Sequence, residues 1–201
     1  AVGTPTLGAT TPPAPAPSGA TGAVNPVYSD IARTGPYRTV ADGEQEVGKR
    51  TVTWRLQRAP GERATTCWRF VGKPAARTPK YNGRDGSLCI PPIATNADPA
   101  DLVQFLAQSG RRSPYGLVAF AVPARTKDVR VGFEGGSTKR ITVRRTPIVV
   151  LGTRTPMWIG LRLPDGTRLD CGAGAVTTRE DLEDPNLTDQ SVGAAWSCLD
   201  L

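Results

Sequence analysis

No histidine occurs among the 201 residues. That excludes serine and cysteine nucleophiles that rely on an imidazole base, and it removes a common zinc ligand. A serine–lysine nucleophile is missing too, because Ser137 and Lys139 stand one residue too close for S-x-x-K. The four cysteines, Cys67, Cys89, Cys171 and Cys198, form no C-x-x-C, so zinc-site spacing is absent. Gly135-Gly136-Ser137-Thr138-Lys139 lacks the order of a phosphate loop and lies between two strand patterns, where it reads as a hairpin turn. No cofactor and no metal is expected. The chain shows neither an apolar run of about 18 residues nor a signal-peptide pattern. It begins at Ala1 without Met, and is read as a mature form whose export signal or membrane anchor has been removed.

The charge is unevenly spread. The net charge of +7 divides into a basic body and an acidic C-terminal segment. Residues 31–84 carry 12 Lys/Arg against 4 Asp/Glu, and residues 125–168 carry 10 against 3, whereas residues 170–201 carry one Arg against 7 acids. Such a chain is more readily complementary to itself than uniformly nucleic-acid-seeking.

With zinc spacing excluded, the four cysteines read as two disulfides of an exported protein. Three connectivities exist, and the sequential one, Cys67–Cys89 with Cys171–Cys198, is favoured. Each would close a loop contributing roughly 3 kcal/mol in the chain-entropy model.

Residues 1–30 are Pro/Ala/Thr/Gly-rich and cannot bury enough surface to offset chain entropy, so they are expected to form a disordered tether. Residues 31–201 read as a mainly-β domain, either one sandwich-like unit or two packed modules at 33–95 and 111–201. In the first part, Val52, Trp54 and Leu56 alternate with polar residues, Pro60-Gly61 supplies a turn, and Cys67–Val71 returns with Trp68 and Phe70 on one face. A helix is expected over Pro99–Gln108, with Asp98 as N-cap, Pro99 at N1 and Leu102, Val103 and Leu106 as its apolar stripe. The clearest meander runs from Ser113 to Cys171. Val129, Val131 and Phe133 alternate, as do Met157, Ile159, Leu161 and Leu163, and Pro164-Asp165-Gly166 makes a turn. Leu117–Val122 and Ile148–Leu151 are continuous apolar runs, as strands covered on both faces require. The fold class is therefore mainly β, with antiparallel sandwich-like sheets, one short helix, two disulfides and a disordered N-terminal tail.

The segment Val118–Leu169 resembles a pattern of uncharacterised extracytoplasmic β-rich proteins of actinobacteria. It comprises a hairpin over Pro123–Phe133, an Ile141–Val143 strand, the apolar Pro147–Gly152 strand and the Leu161–Leu169 turn. The resemblance implies a small sandwich-like module outside the membrane and brings no functional residue with it.

The leading expectation is a non-enzymatic binding or sensory domain at the cell envelope. Its partner would be an anionic envelope polymer or another envelope protein, with membrane contact only through a removed anchor. Candidate polyanion-binding residues are Arg55, Arg69, Lys73, Arg77, Lys80, Arg84, Arg144 and Arg145. Nucleic acid is disfavoured because Trp54, Trp68 and Phe70 read as core and not as stacking surfaces. The alternative is a secreted inhibitor or effector presenting the Lys73–Gly86 loop between Cys67 and Cys89. A third reading, a carboxylate-pair hydrolase, has only Glu180, Asp181, Glu183, Asp184 and Asp189 to draw on. Within that cluster Asp181, Glu183 and Asp184 are weak calcium candidates, since they lack D-x-D-x-D-G spacing.

Overall fold

The computed structural model describes residues 30–78, 81–93, 97, 102–109, 112–126, 128–173 and 196–200. The expected tether therefore lies outside the described residues, apart from Asp30. The first sheet is a meander of β1 (Arg38–Val47), β2 (Arg50–Pro60), β3 (Thr66–Lys73) and β4 (Leu88–Ile90). The second holds β5 (Gln104–Gln108), β6 (Gly116–Ala121) and β9 (Ile148–Gly152), with β6 in the centre. The third contains β7 (Asp128–Phe133), β8 (Thr138–Thr142), β10 (Pro156–Arg162), β11 (Arg168–Ala173) and β12 (Trp196–Asp200), in the order β12-β11-β10-β7-β8. All of these strand pairings are antiparallel.

The second sheet lies between the other two. Leu117, Ala119 and Leu151 share a buried cluster with Val52 and Leu56 of the first sheet. From the opposite face, Val118, Phe120, Ile148 and Val150 join Val129, Val131, Ile159, Leu161 and Leu169 of the third. This explains the continuous apolar runs: with a layer on either side, both residue parities must be apolar. The two outer sheets alternate because the two main clusters meet only one face of each; the exception is a small cluster of Ile31, Cys67 and Cys89 on the outer face of the first sheet.

Both disulfides form in the sequential connectivity. In each case the cysteines stand directly opposite one another on neighbouring strands, Cys67 with Cys89 and Cys171 with Cys198. Cys67 and Cys89 lie on the outer face of the first sheet, covered by Ile31, which is 1% exposed. Ile31 is held by its N–H donating to the Asn82 carbonyl at 2.9 Å and its carbonyl accepting from the Arg84 N–H at 3.0 Å.

The expected helix is corrected over its described part. Leu102 alone has a 3₁₀ turn, Gln104–Gln108 is a strand, and residues 98–101 lie outside the described residues. The register slips between Phe105 and Ala107. This bulge sends Val103 and Phe105 to the third-sheet side, and Leu106 and Ala107 to the first-sheet side. An extra residue in a strand breaks period two and leaves apolar spacings that mimic a helical stripe. Pairing with β6 then overrides local propensity. The turn expected at Pro60-Gly61 also sits further on: β2 runs through Pro60, and Arg63 and Ala64 make the reversal with φ of 56° and 58°. The turns at Gly135-Gly136 and Pro164-Asp165-Gly166 occur where their residue chemistry places them.

Candidate functional site

The first sheet brings Arg55, Arg69 and Lys73 onto one exposed face. Arg55 stands across from Asp42, and Glu44 and Glu46 extend an acidic row along β1 beside them. Arg69 is engaged within the fold: Nε and Nη2 both donate to Gln57 Oε1 at 3.2 and 2.9 Å, and its guanidinium lies 4.0 Å from the Tyr37 ring centroid. Arg84 pairs with the Asp30 carboxylate at 3.5 Å. Arg77 is exposed beyond β3, and its N–H donates to Ser113 Oγ at 3.1 Å. Lys80 lies outside the described residues. Arg144 and Arg145 are exposed just after β8, on a different sheet. The seven described candidates thus do not assemble into one patch, and the first-sheet face mixes both signs of charge.

The acidic cluster Glu180, Asp181, Glu183, Asp184 and Asp189 lies outside the described residues, including the calcium candidates Asp181, Glu183 and Asp184. Among the described residues no group of three His, Cys, Asp or Glu could hold a metal.

The latter half of the Lys73–Gly86 loop is tied down. Asn82 bonds both the N–H and the C=O of Cys89 at 2.8 Å, and Tyr37 donates to Asp85 at 2.9 Å. Burial pushes the Asp85 carboxyl up, but hydrogen bonds from Ser87 and Tyr37, together with Arg33, outweigh it and hold the pKa below the usual carboxylate value. Burial also pushes the Tyr81 phenol up to about 12, where its hydroxyl accepts the Gln108 N–H at 3.1 Å. The neutral phenol is the folded form, so its contribution is complete below about pH 10 and lost as pH rises towards 12. Urea unfolding of the wild type is therefore expected to weaken between about pH 9 and pH 11.5, by up to about 2 kcal/mol from this group. In Tyr81→Phe that part of the alkaline slope should vanish; an unchanged slope would remove the assignment.

The arginines that sequence patterning missed lie on the outer face of the third sheet. Val129, Val131, Ile159 and Leu161 point into the core, so Arg130, Trp158, Gly160 and Arg162 face outward. Arg130 is directly opposite Arg140, and Arg162 is directly opposite Arg168. Two like-charge pairs therefore share one sheet face, an arrangement that costs stability without counter-charge. Asp128 relieves one of the four, accepting from Arg140 at 3.3 Å (Nε) and 2.6 Å (Nη2). Arg130, Arg162 and Arg168 make no hydrogen bond or ion pair among the described residues. Both pairs are a matter of turn arithmetic: a hairpin centred on Gly135 sets 130 against 140, and one centred on Asp165 sets 162 against 168.

A separate polar cleft of about 280 Å³ is lined by Ser113, Tyr115, Gly116, Glu134, Thr153, Arg154 and Thr155. The Arg154 guanidinium lies against Gly135 and donates to the Glu134 carbonyl at 3.4 Å. Comparison with protein-family models, curated proteins and solved structures returns no match.

Proposed function

We propose that this is a non-catalytic binding domain that works outside the cytoplasm and holds an anionic polymer on the outer face of the third sheet. The observation that carries the reading is the pair of cross-strand juxtapositions, Arg130 with Arg140 and Arg162 with Arg168, in which Arg140 alone is paired with a carboxylate among the described residues. Like charges placed opposite one another are costly in the free protein and become favourable once an anion sits between them. Arg144 and Arg145 leave β8 near its Thr142 end, where Thr142 pairs with Asp128, and would extend the basic surface there. Two closed disulfides suit an oxidising compartment, and a Pro/Ala-rich stretch over residues 1–30 has the composition of a spacer.

The test is retention on an immobilised polyanion as NaCl is raised from about 50 to about 200 mM, over which counterion release makes such binding fall steeply. The double variant Arg162→Gln/Arg168→Gln is expected to elute at markedly lower salt. Its ligand-free stability should be equal to or above that of the wild type, by about 0.2–1 kcal/mol, because a repulsive pair is gone. Retention that ignores salt, or a double variant that binds like the wild type, would sink the reading.

A further inference from the structure

Trp158 gives this face a second chemistry, and the following inference rests on the anionic-polymer reading above. Its indole lies flat on the sheet. A Cβ added to Gly132, directly across on β7, would meet Trp158 Nε1 at 2.0 Å and Cε2 at 2.2 Å. One added to Gly160 would meet Cζ3 at 3.1 Å. Glycine at both positions is what allows the ring to lie down, one face against backbone and the other directed away from the core. None of the flanking arginines stacks on it: among the described residues both cation–π contacts are made to Tyr37. The indole N–H has no hydrogen-bond acceptor among the described residues, although a half-buried Trp ordinarily finds one.

The polar groups around the ring are of two kinds. Arg130 stands across from Gly160, and the Arg162–Arg168 pair lies four residues from Trp158 along β10, roughly 13 Å away at strand rise. Asp170 stands on the other side of Gly160, with Oδ1 2.9 Å from the position a Cβ there would take. A carboxylate beside the ring repels a bare polyanion but accepts hydroxyl donors. A flat apolar ring, a free N–H donor, a hydroxyl acceptor and spaced guanidinium groups together match a hydroxyl-rich ring carrying carboxylates at intervals.

We infer that Trp158 is the stacking platform for a sugar ring of an acidic polysaccharide, with Arg130, Arg162 and Arg168 binding carboxylates on that and neighbouring units and Asp170 accepting a ring hydroxyl. A ring-free polymer such as polyphosphate would use the arginines alone. Single-stranded nucleic acid stacks successive bases on several aromatics, and Trp158 is the one aromatic placed on this face among the residues whose side chains are described.

The test uses the full chain with polygalacturonate and linear polyphosphate as probes, matched in charge at one ionic strength. The proteins are wild type, Trp158→Ala, Trp158→Phe and Arg162→Gln/Arg168→Gln, with folding of each checked by circular dichroism. Trp158→Ala is expected to weaken polygalacturonate binding about tenfold, the effect of about 1.4 kcal/mol of stacking, and to leave polyphosphate binding unchanged. Trp158→Phe should keep most of the affinity, and it carries the test should the alanine variant not fold. The arginine variant should weaken both probes. If Trp158→Ala binds polygalacturonate as the wild type does, or loses both probes equally, the platform is overturned and the ring only shields glycine backbone, while the basic-face reading stands. Tighter, Trp158-dependent binding of oligothymidine would overturn it in favour of nucleic acid. If the wild type binds none of the polyanions, the underlying reading fails as well.

Discussion

Phe120→Ala is expected to destabilise the protein by about 3–5 kcal/mol, lowering its melting temperature by on the order of 10 °C. Phe120 is fully buried at the centre of the middle sheet, facing the third. It stands opposite Phe105 on one neighbouring strand and Ile148 on the other, with the Phe105 ring centroid 6.3 Å away. Nothing can collapse into the vacated space from behind, because the other face of its own sheet is occupied by Leu117, Ala119 and Leu151 packed on the first sheet. An outer-sheet position gives the contrast: Val71, on the solvent face of β3, is 41% exposed, and Val71→Ala should change stability by less than about 0.5 kcal/mol. Chemical denaturation of both variants measures the difference. Similar costs for the two would contradict the three-layer arrangement.

The second large effect is expected from opening the Cys67–Cys89 crosslink. It joins residues 22 apart in sequence, and closing a loop of that length is worth about 3 kcal/mol in the chain-entropy model. Cys171–Cys198 joins residues 27 apart, so the entropic contribution of the two bridges is nearly the same. Their surroundings differ. Cys67 and Cys89 sit under Ile31, whose backbone is bonded to Asn82 and Arg84 on the loop that the bridge closes. The Cys67→Ala/Cys89→Ala variant should therefore lose about 3 kcal/mol of stability and also expose the chain near Ile31 to proteolysis. A variant that unfolds at wild-type denaturant concentration, with no new cleavage there, would show that the bridge is not what holds this end of the first sheet.

Much of this fold was legible because its signals are local. The apolar runs Leu117–Val122 and Ile148–Leu151 announced a sheet covered on both sides, and single-sided alternation announced the two outer layers. The disulfide connectivity followed from sequence proximity, since the partner strands are neighbours. The misread element was 104–108, where a bulge displaced the apolar residues into a helix-like spacing that only pairing with β6 resolves. The candidate site was harder to see for a different reason. Along the sequence basic residues group by position, yet charge on a sheet is organised by cross-strand register, which brings Arg162 to Arg168 and leaves Arg69 and Arg84 occupied by Gln57, Tyr37 and Asp30. Trp158 falls between Met157 and Ile159, and only the glycines beneath it, Gly132 and Gly160, distinguish it from a core aromatic.

The route of the chain between layers has a consequence for how the molecule comes apart. The polypeptide passes between the middle and third sheets three times, from β6 to β7, from β8 to β9 and from β9 to β10. The first sheet is joined in sequence to the rest by a single crossing, from β4 to β5. Peeling the first sheet away leaves the other two intact in connectivity, whereas neither of those two can be released without drawing strands out of its neighbour. The middle and third layers are thus laced into one unit of unfolding, and the face that carries Trp158 and its arginines belongs to that unit, not to the flap that can open first.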